Sequence, residues 1–292
     1  MTKEQILEKM KTDMEARGHS ASTIKWYTSV ARRFQDHFDK PADQMGEAEI
    51  MGYQHHLMTK RDINKPSANK HNSALRFLYG VTLDIVLNYM KIPHTKYNRR
   101  LPKLFTREEI CRIIDFAGSL EHRVMFMLAY GSGLRISEVT NLKVSDIESG
   151  NMRILVRQGK GDRDRYVLLP QATLDALREY WLTCRPNDWL FVAPEKGGRY
   201  VNRTLADAFR SALKRSCISK QGNFHLLRHC YATHSYEDGV DLLTLKSLLG
   251  HSRIDTTAWY TQMADTKTRE ARSPIDSLQL RDPYWLRGKA DA

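Results

Sequence analysis

The sequence predicts a mainly α-helical protein with a small antiparallel β-sheet, built as a helical N-terminal domain followed by a mixed α/β domain. Three observations lead there. Apolar residues recur at helical steps over most of the chain. Between Met152 and Leu169 the period changes to two. Between Ile92 and Leu104 both patterns break in a basic stretch holding Pro93 and Pro102. At 292 residues the chain is long for one compact domain and comfortable for two. The expected division is 1–91, a linker over 92–103, and 104–292.

In the first part, Tyr27, Val30, Phe34 and Phe38 follow Thr23 at steps of three or four, one face of a helix. Lys25, Arg32 and Arg33 fall on its other faces. A second helix is expected from Ser67 to Tyr79, with Leu75, Leu78 and Tyr79 inward and Lys70, His71 and Arg76 outward. The two linker prolines disfavour helix on both sides, and the stretch carries Lys96, Arg99, Arg100 and Lys103.

The second part opens on Thr106-Arg107-Glu108-Glu109, a capping box followed by the core stripe Ile110, Ile113 and Ile114. Met125 to Leu128 continue a buried helix. Met152, Ile154 and Val156 then alternate with Arg153, Leu155 and Arg157, and Tyr166 to Leu169 resume the extended pattern after Gln158-Gly159-Lys160-Gly161-Asp162. That is a β-hairpin with its turn. Helices are expected again over Thr204–Ser216, Leu226–Tyr236 and Leu242–Leu249.

Lys and Arg outnumber Asp and Glu by 46 to 34, a formal charge of +12. The excess is shared by both parts and favours a polyanionic partner, nucleic acid first. Cys111, Cys184, Cys217 and Cys230 form no C-x-x-C pair, which argues against a disulfide framework and fits a reducing cytoplasm. Met1-Thr2-Lys3-Glu4 reads as the start of a charged helix, not a signal peptide. No run approaches the ~18 apolar residues of a membrane span.

The chemistry-bearing segments are Gly131-Ser132-Gly133-Leu134-Arg135-Ile136-Ser137-Glu138, Gly159-Lys160-Gly161, His225-Leu226-Leu227-Arg228-His229, and Leu248-Leu249-Gly250-His251 with Tyr260 beyond it. Each is weak alone. His225 and His229 could be two metal ligands on one helix face, with His234 a third. A zinc protease motif, however, needs Glu where Leu226 stands. Gly131-Ser132-Gly133 lacks the third glycine of a dinucleotide loop, and no P-loop Lys follows. No metal and no cofactor are expected.

In this order and spacing the segments resemble the tyrosine recombinases, or phage integrase family, over nearly the whole chain. The resemblance matches Arg135, Lys160, His225, Arg228, His251 and the nucleophile Tyr260 to the family's six catalytic positions, with no departure at any of them. The hairpin looks most like that of Xer proteins and of integron or transposon integrases, although the helical insertion of integron integrases before the His-x-x-Arg box is absent. The resemblance implies a helical core-binding domain and a mixed α/β catalytic domain. It further implies a site-specific recombinase working through a 3′-phosphotyrosyl intermediate without metal or ATP. The partner would be double-stranded DNA with paired half-sites, bound by a tetramer that is a monomer or weak dimer when free. Lys25, Arg32, Arg33, Lys70, His71, Arg76, Lys96, Arg99, Arg100 and Lys103 are the candidate DNA contacts. Integration, excision or transposition of a mobile element is the expected setting. Xer-like dimer resolution, a type IB topoisomerase and a non-enzymatic DNA binder are the alternatives.

The residue types suit strand transfer. A phenol is a weak nucleophile, with a free pKa near ~10, unless a neighbour takes its proton. Arginine forks bind phosphate oxygens bidentately and keep their charge, the role of Arg135 and Arg228. His225 and His251 can donate hydrogen bonds, and either can serve as base. Lys160 would protonate the leaving 5′ oxygen. Glu138 and Asp146 read as supporting carboxylates, Glu138 orienting Arg135. Beyond Tyr260 the segment with Pro274, Ile275, Leu278, Leu280, Trp285 and Leu286 is more apolar than a solvated tail needs. It either covers its own domain or, as the resemblance implies, inserts into a neighbouring protomer.

Overall fold

The computed structural model describes residues 1–88, 92, 94–95, 102–157, 164–193, 198–251 and 255–262. The chain separates into two compact units, Met1–Arg100 and Leu101–Ala292. It is mostly helical with a small antiparallel sheet, the expected class.

The first unit is built from four helices among the described residues. α1 (Lys3–Ala16) opens on a capping box in which the Thr2 hydroxyl accepts from Gln5 N and the side-chain Oε1 of Gln5 accepts from Thr2 N. α2 (Ala21–Phe38) is capped by Ser20 and buries Val30 and Phe34. It stops where Asp39 takes a left-handed φ of 50°. α3 (Glu47–Thr59) buries Ile50, Tyr53 and Leu57. α4 (Lys65–Phe77), capped by Asn64, loosens into a π-helical turn over Leu78–Thr82. Phe34 lies at the centre, edge-on to Tyr53 at 5.4 Å and to Tyr79 at 6.3 Å.

One expectation on α4 is corrected. His71, assigned to the outer face, is buried, with its Nδ1 donating to the Ser67 carbonyl at 2.9 Å and its ring edge-on to Trp26. The reason is helical geometry: residue 71 lies four before Leu75, so both share the core face. Arg76 is half-buried and donates to the carbonyl of Ile92, which packs fully into the same core.

The second unit starts with α5 (Arg107–Asp115), whose capping box pairs Thr106 with Glu109. α6 (Leu120–Gly131) and the short α7 (Ile136–Thr140) follow. β1 (Ile147–Glu148), β2 (Arg153–Val156) and β3 (Arg165–Leu168) form an antiparallel sheet in sequence order, with Ile154 opposite Val167. The two expected hairpin strands are there, β1 adds an edge strand, and the expected turn at 158–162 lies outside the described residues. α8 (Gln171–Cys184), α9 (Asn202–Arg215), α10 (His225–Glu237), α11 (Leu242–Leu249) and α12 (Asp255–Ala258) complete the unit, with a 3₁₀ turn at Trp259–Gln262.

α10 is the central helix. It buries Leu226, Leu227, Cys230 and Ala232 and packs along α6, which carries α8 against it as well. Phe126, Phe209 and Phe224 meet edge-to-face, with centroids 5.6 to 6.0 Å apart. This rigid pairing of α6 and α10 fixes the two segments from which the site is made.

Candidate active site

The site begins where α6 ends. Gly133 adopts φ 65°, and a Cβ there would stand 2.5 Å from the Tyr231 ring, so the turn requires glycine. Buried Leu134 anchors the turn and delivers Arg135 to the N-cap position of α7. The Arg135 Nη1 donates to Glu138 Oε1 at 2.6 Å, while Glu138 Oε2 accepts from the Arg135 backbone at 2.8 Å. One carboxylate thus caps a helix and holds a guanidinium, the orienting role expected of it.

Arg228 enters from the first turn of α10 and is 1 % exposed. Burying a charge is costly unless it is paired and hydrogen-bonded. Arg228 meets that requirement by donating to the Gly133 carbonyl at 2.7 Å and to the Leu249 carbonyl, with Glu138 Oε2 at 3.5 Å. The ends of α6 and α11 are tied to α10 through this one side chain.

α11 stops at Gly250, in a left-handed conformation, and His251 follows. Its Nε2 is 3.3 Å from Arg228 Nη2. A guanidinium can only donate, so Nε2 is the bare nitrogen and Nδ1–H donates to the buried Thr257 hydroxyl at 3.0 Å. Burial, with the charges of Arg228, Arg135 and Arg165, pushes His251 down to about 3, so the imidazole is neutral. Tyr260 is buried on the 3₁₀ turn, its ring stacked on His251 at 6.2 Å. Its hydroxyl lies 3.2 Å from His229 Nδ1. His225 stands edge-on to His229 at 4.6 Å. Burial, then Arg228 and Arg135, lower His225 too.

Five of the six expected catalytic residues therefore lie on segments that meet in one place. Lys160 lies outside the described residues. Two members were missed. Arg165, at the start of β3, forks onto Glu138 with Nη1–Oε1 3.0 Å and Nη2–Oε2 2.9 Å, and its Nε donates to the Leu248 carbonyl at 2.9 Å. Strand alternation could have found it, because residues 165, 167 and 169 share the inward face. His229 was weighed only as a metal ligand, yet its place next to Arg228 and four after His225 puts it on the site's side of α10. Burial alone would raise the Glu138 carboxyl, but the Arg165 hydrogen bond and charge, with Arg135, outweigh it and hold it at about 2. The result is a cluster of three guanidiniums around one carboxylate, beside a tyrosine hydroxyl. Such a surplus of positive charge suits an anion placed next to a nucleophile.

Among the described residues, no group of three or more His, Cys, Asp or Glu is arranged to hold a metal ion. Among the same described residues, no helix is long and apolar enough to cross a membrane. Of the expected DNA contacts, Lys25, Arg32, Arg33, Lys70 and Lys103 are exposed. Lys96, Arg99 and Arg100 lie outside the described residues.

The chain is similar to known proteins along nearly its whole length. Residues 103–267 match the model of the phage integrase family, and residues 6–88 match that of the phage integrase N-terminal SAM-like domain. An integrase/recombinase of Sinorhizobium fredii is 34 % identical over 276 residues, covering 94 % of this chain and 89 % of the relative. The tyrosine recombinase XerA of Thermococcus kodakarensis is 32 % identical over 280 residues, 94 % of this chain and 96 % of the relative. Among solved structures, a lambda integrase tetramer bound to a Holliday junction superposes with a TM-score of 0.74 at 19 % identity, over 94 % of this chain and 80 % of that one.

Proposed function

The chain belongs to the phage integrase family and is an enzyme of its tyrosine recombinase/integrase class; from that premise we propose that it cuts and rejoins DNA strands through a 3′-phosphotyrosyl bond to Tyr260. The observation that carries this reading is the hydroxyl of Tyr260 at 3.2 Å from His229, its ring stacked on His251, which in turn touches the buried Arg228. A nucleophile, two imidazoles and phosphate-binding cations meet in one place.

In the proposed reaction Tyr260 Oη attacks the scissile phosphorus and its proton passes to His229 Nδ1. The new O–P bond forms as the bond from phosphorus to the 5′ oxygen breaks. Arg135 and Arg228 hold the non-bridging oxygens, where charge accumulates. Neutral His251 keeps Arg228 in place through Nε2, and His225 is a further donor beside it. Lys160 gives the leaving 5′ oxygen its proton, and reversal of the steps with a new 5′ hydroxyl rejoins the strand. The ester retains the bond energy, so no ATP is consumed, and no metal is required.

The biological setting we favour is integration, excision or transposition of a mobile element, in keeping with the integrase/recombinase relatives. Resolution of replicon dimers is the second reading, favoured by the full-length similarity to XerA. A tetramer on paired half-sites of duplex DNA fits the match to the junction-bound lambda tetramer, and the cysteine spacing fits action in the cytoplasm. The exposed Lys25, Arg32, Arg33, Lys70 and Lys103, with Lys96, Arg99 and Arg100, would hold DNA phosphates, so affinity should fall steeply with salt. The decisive experiment is Tyr260→Phe. It should leave DNA affinity nearly unchanged and abolish the denaturant-resistant protein–DNA band; a persisting band overturns the assignment. A two-site recombination assay run against plasmid relaxation separates the recombinase from a topoisomerase.

A further inference from the structure

Arg165 belongs to none of the segments that carry the catalytic positions, yet its contacts reach two of them. It takes both oxygens of Glu138, at 2.9 and 3.0 Å, and its Nε binds the Leu248 carbonyl at the end of α11. Gly250 leaves it room, because a Cβ there would lie 3.0 Å from Arg165 Cδ. Its side chain is 10 % exposed and that of Glu138 is 7 % exposed, whereas Arg135 is 21 % exposed. The carboxylate therefore has one well-enclosed partner that is turned away from solvent and one that borders it.

We propose that Arg165 is a positioning residue that saturates Glu138, so that Arg135 and Arg228 keep their charge for the scissile phosphate. The argument is one of competition. Glu138 is close to all three guanidiniums, at 2.6 Å from Arg135, 2.9 Å from Arg165 and 3.5 Å from Arg228. A buried carboxylate demands neutralisation. The fork-to-fork pair with Arg165 supplies a full positive charge, so the carboxylate that bonds Arg135 at 2.6 Å is already neutralised. Without Arg165 the same carboxylate turns its full charge on Arg135 and Arg228, and an incoming phosphate must compete with it for both. The inference deepens the proposed reaction and rests on Tyr260 being its nucleophile.

The test is a double-mutant cycle of single-turnover cleavage on a nicked duplex carrying the footprint-mapped half-site. Arg165→Gln should slow formation of the covalent adduct roughly 10–100-fold, the usual cost of removing a partner behind a catalytic ligand. DNA affinity should stay within about twofold, since the binding surface is untouched. Adding Glu138→Gln, which keeps the oxygen that caps α7, should restore about tenfold or more of the lost rate, because the competing charge is gone. A merely structural staple gives the opposite sign, with the double variant as slow as the single or slower. Either that sign or a wild-type rate for Arg165→Gln overturns the inference. If Arg165→Gln does not fold, the same cycle with Arg165→Lys, which keeps the charge but loses the fork, decides it with a smaller single defect and the same sign. Tyr260→Phe is run alongside. An adduct there removes the reading beneath, while a lost adduct with a null Arg165 cycle removes only this inference.

Discussion

Replacing Gly133 by alanine should damage fold and chemistry together, and its size follows from two local facts. Residue 133 sits at φ 65°, and a Cβ would lie 2.5 Å from Tyr231 Cδ1 and Cε1 and 3.2 Å from Leu249 Cδ2. The left-handed backbone costs a non-glycine residue about 1–2 kcal/mol. Forcing a methyl into a packed site costs about 1–3 kcal/mol more, because the Tyr231 ring is buried and must shift. A loss of about 2–5 kcal/mol lowers the melting temperature of a unit this size by about 4–20 °C. The Gly133 carbonyl also holds Arg228 at 2.7 Å, so cleavage should slow by more than the loss of folded protein explains. Thermal melts followed by circular dichroism, with Gly150→Ala beside them, give the comparison. Gly150 has open space around it, so its alanine variant should stay within about 0.5 kcal/mol of wild type. Equal melting of the two variants would refute the reasoning.

The remaining predictions concern the general acid, acid stability and the C-terminal segment. Lys160→Ala should be severely slow on ordinary DNA and largely restored on DNA whose bridging 5′ oxygen is sulfur, a leaving group that needs no proton; equal slowness on both substrates removes Lys160 from that role. His251, held neutral down to about 3, binds no proton in the fold where the unfolded chain already does. Its stabilisation is thus complete above the unfolded value near ~6.5 and is lost progressively as pH falls towards about 3. Melting at pH steps across that window should show the decline, and His251→Gln should flatten it; an unchanged slope excludes His251 as a source. Deleting the chain from Ser273 onward, a region outside the described residues, should leave a protein that binds one half-site but no longer fills a paired site cooperatively. Cooperative gel shifts by the truncated protein would show that the segment only covers its own domain.

The elements with a clear stripe or cap were legible in the sequence. Phe34 on α2, the Thr106 capping box and the Ile154–Val167 alternation each announce their element, and each stands as read. α8 did not announce itself. Its inward residues Thr173, Leu174, Leu177 and Tyr180 mix with the outward Trp181 and Leu182, which blurs the periodic contrast. The same blindness moved His71 to the wrong face: polarity suggested solvent, whereas its ring packs inside against Trp26 with Nδ1 held by one carbonyl. In the site, the motif residues were legible through the order and spacing that resemble the tyrosine recombinases, since each segment is weak alone. Alternation along β3 puts Arg165 on the inward face, but its role was not legible, because its partner is a carboxylate 27 residues earlier in the chain. Contacts of that range are written in the packing, not in the local pattern.

Tyr260 is 2 % exposed, wedged between His229 and His251 on a short turn. In the proposed reaction a DNA phosphate would reach so enclosed a side chain only after that turn moved. On the proposed role of Tyr260, the observed cutting rate would be the intrinsic rate multiplied by the fraction in which the turn is open. Every ~1.4 kcal/mol needed for opening divides that rate by ten. An enzyme that works this way would be disarmed whenever the turn is shut. Its fidelity is then a matter of timing as well as of sequence, because only contacts that persist long enough to release the turn can be converted into a break.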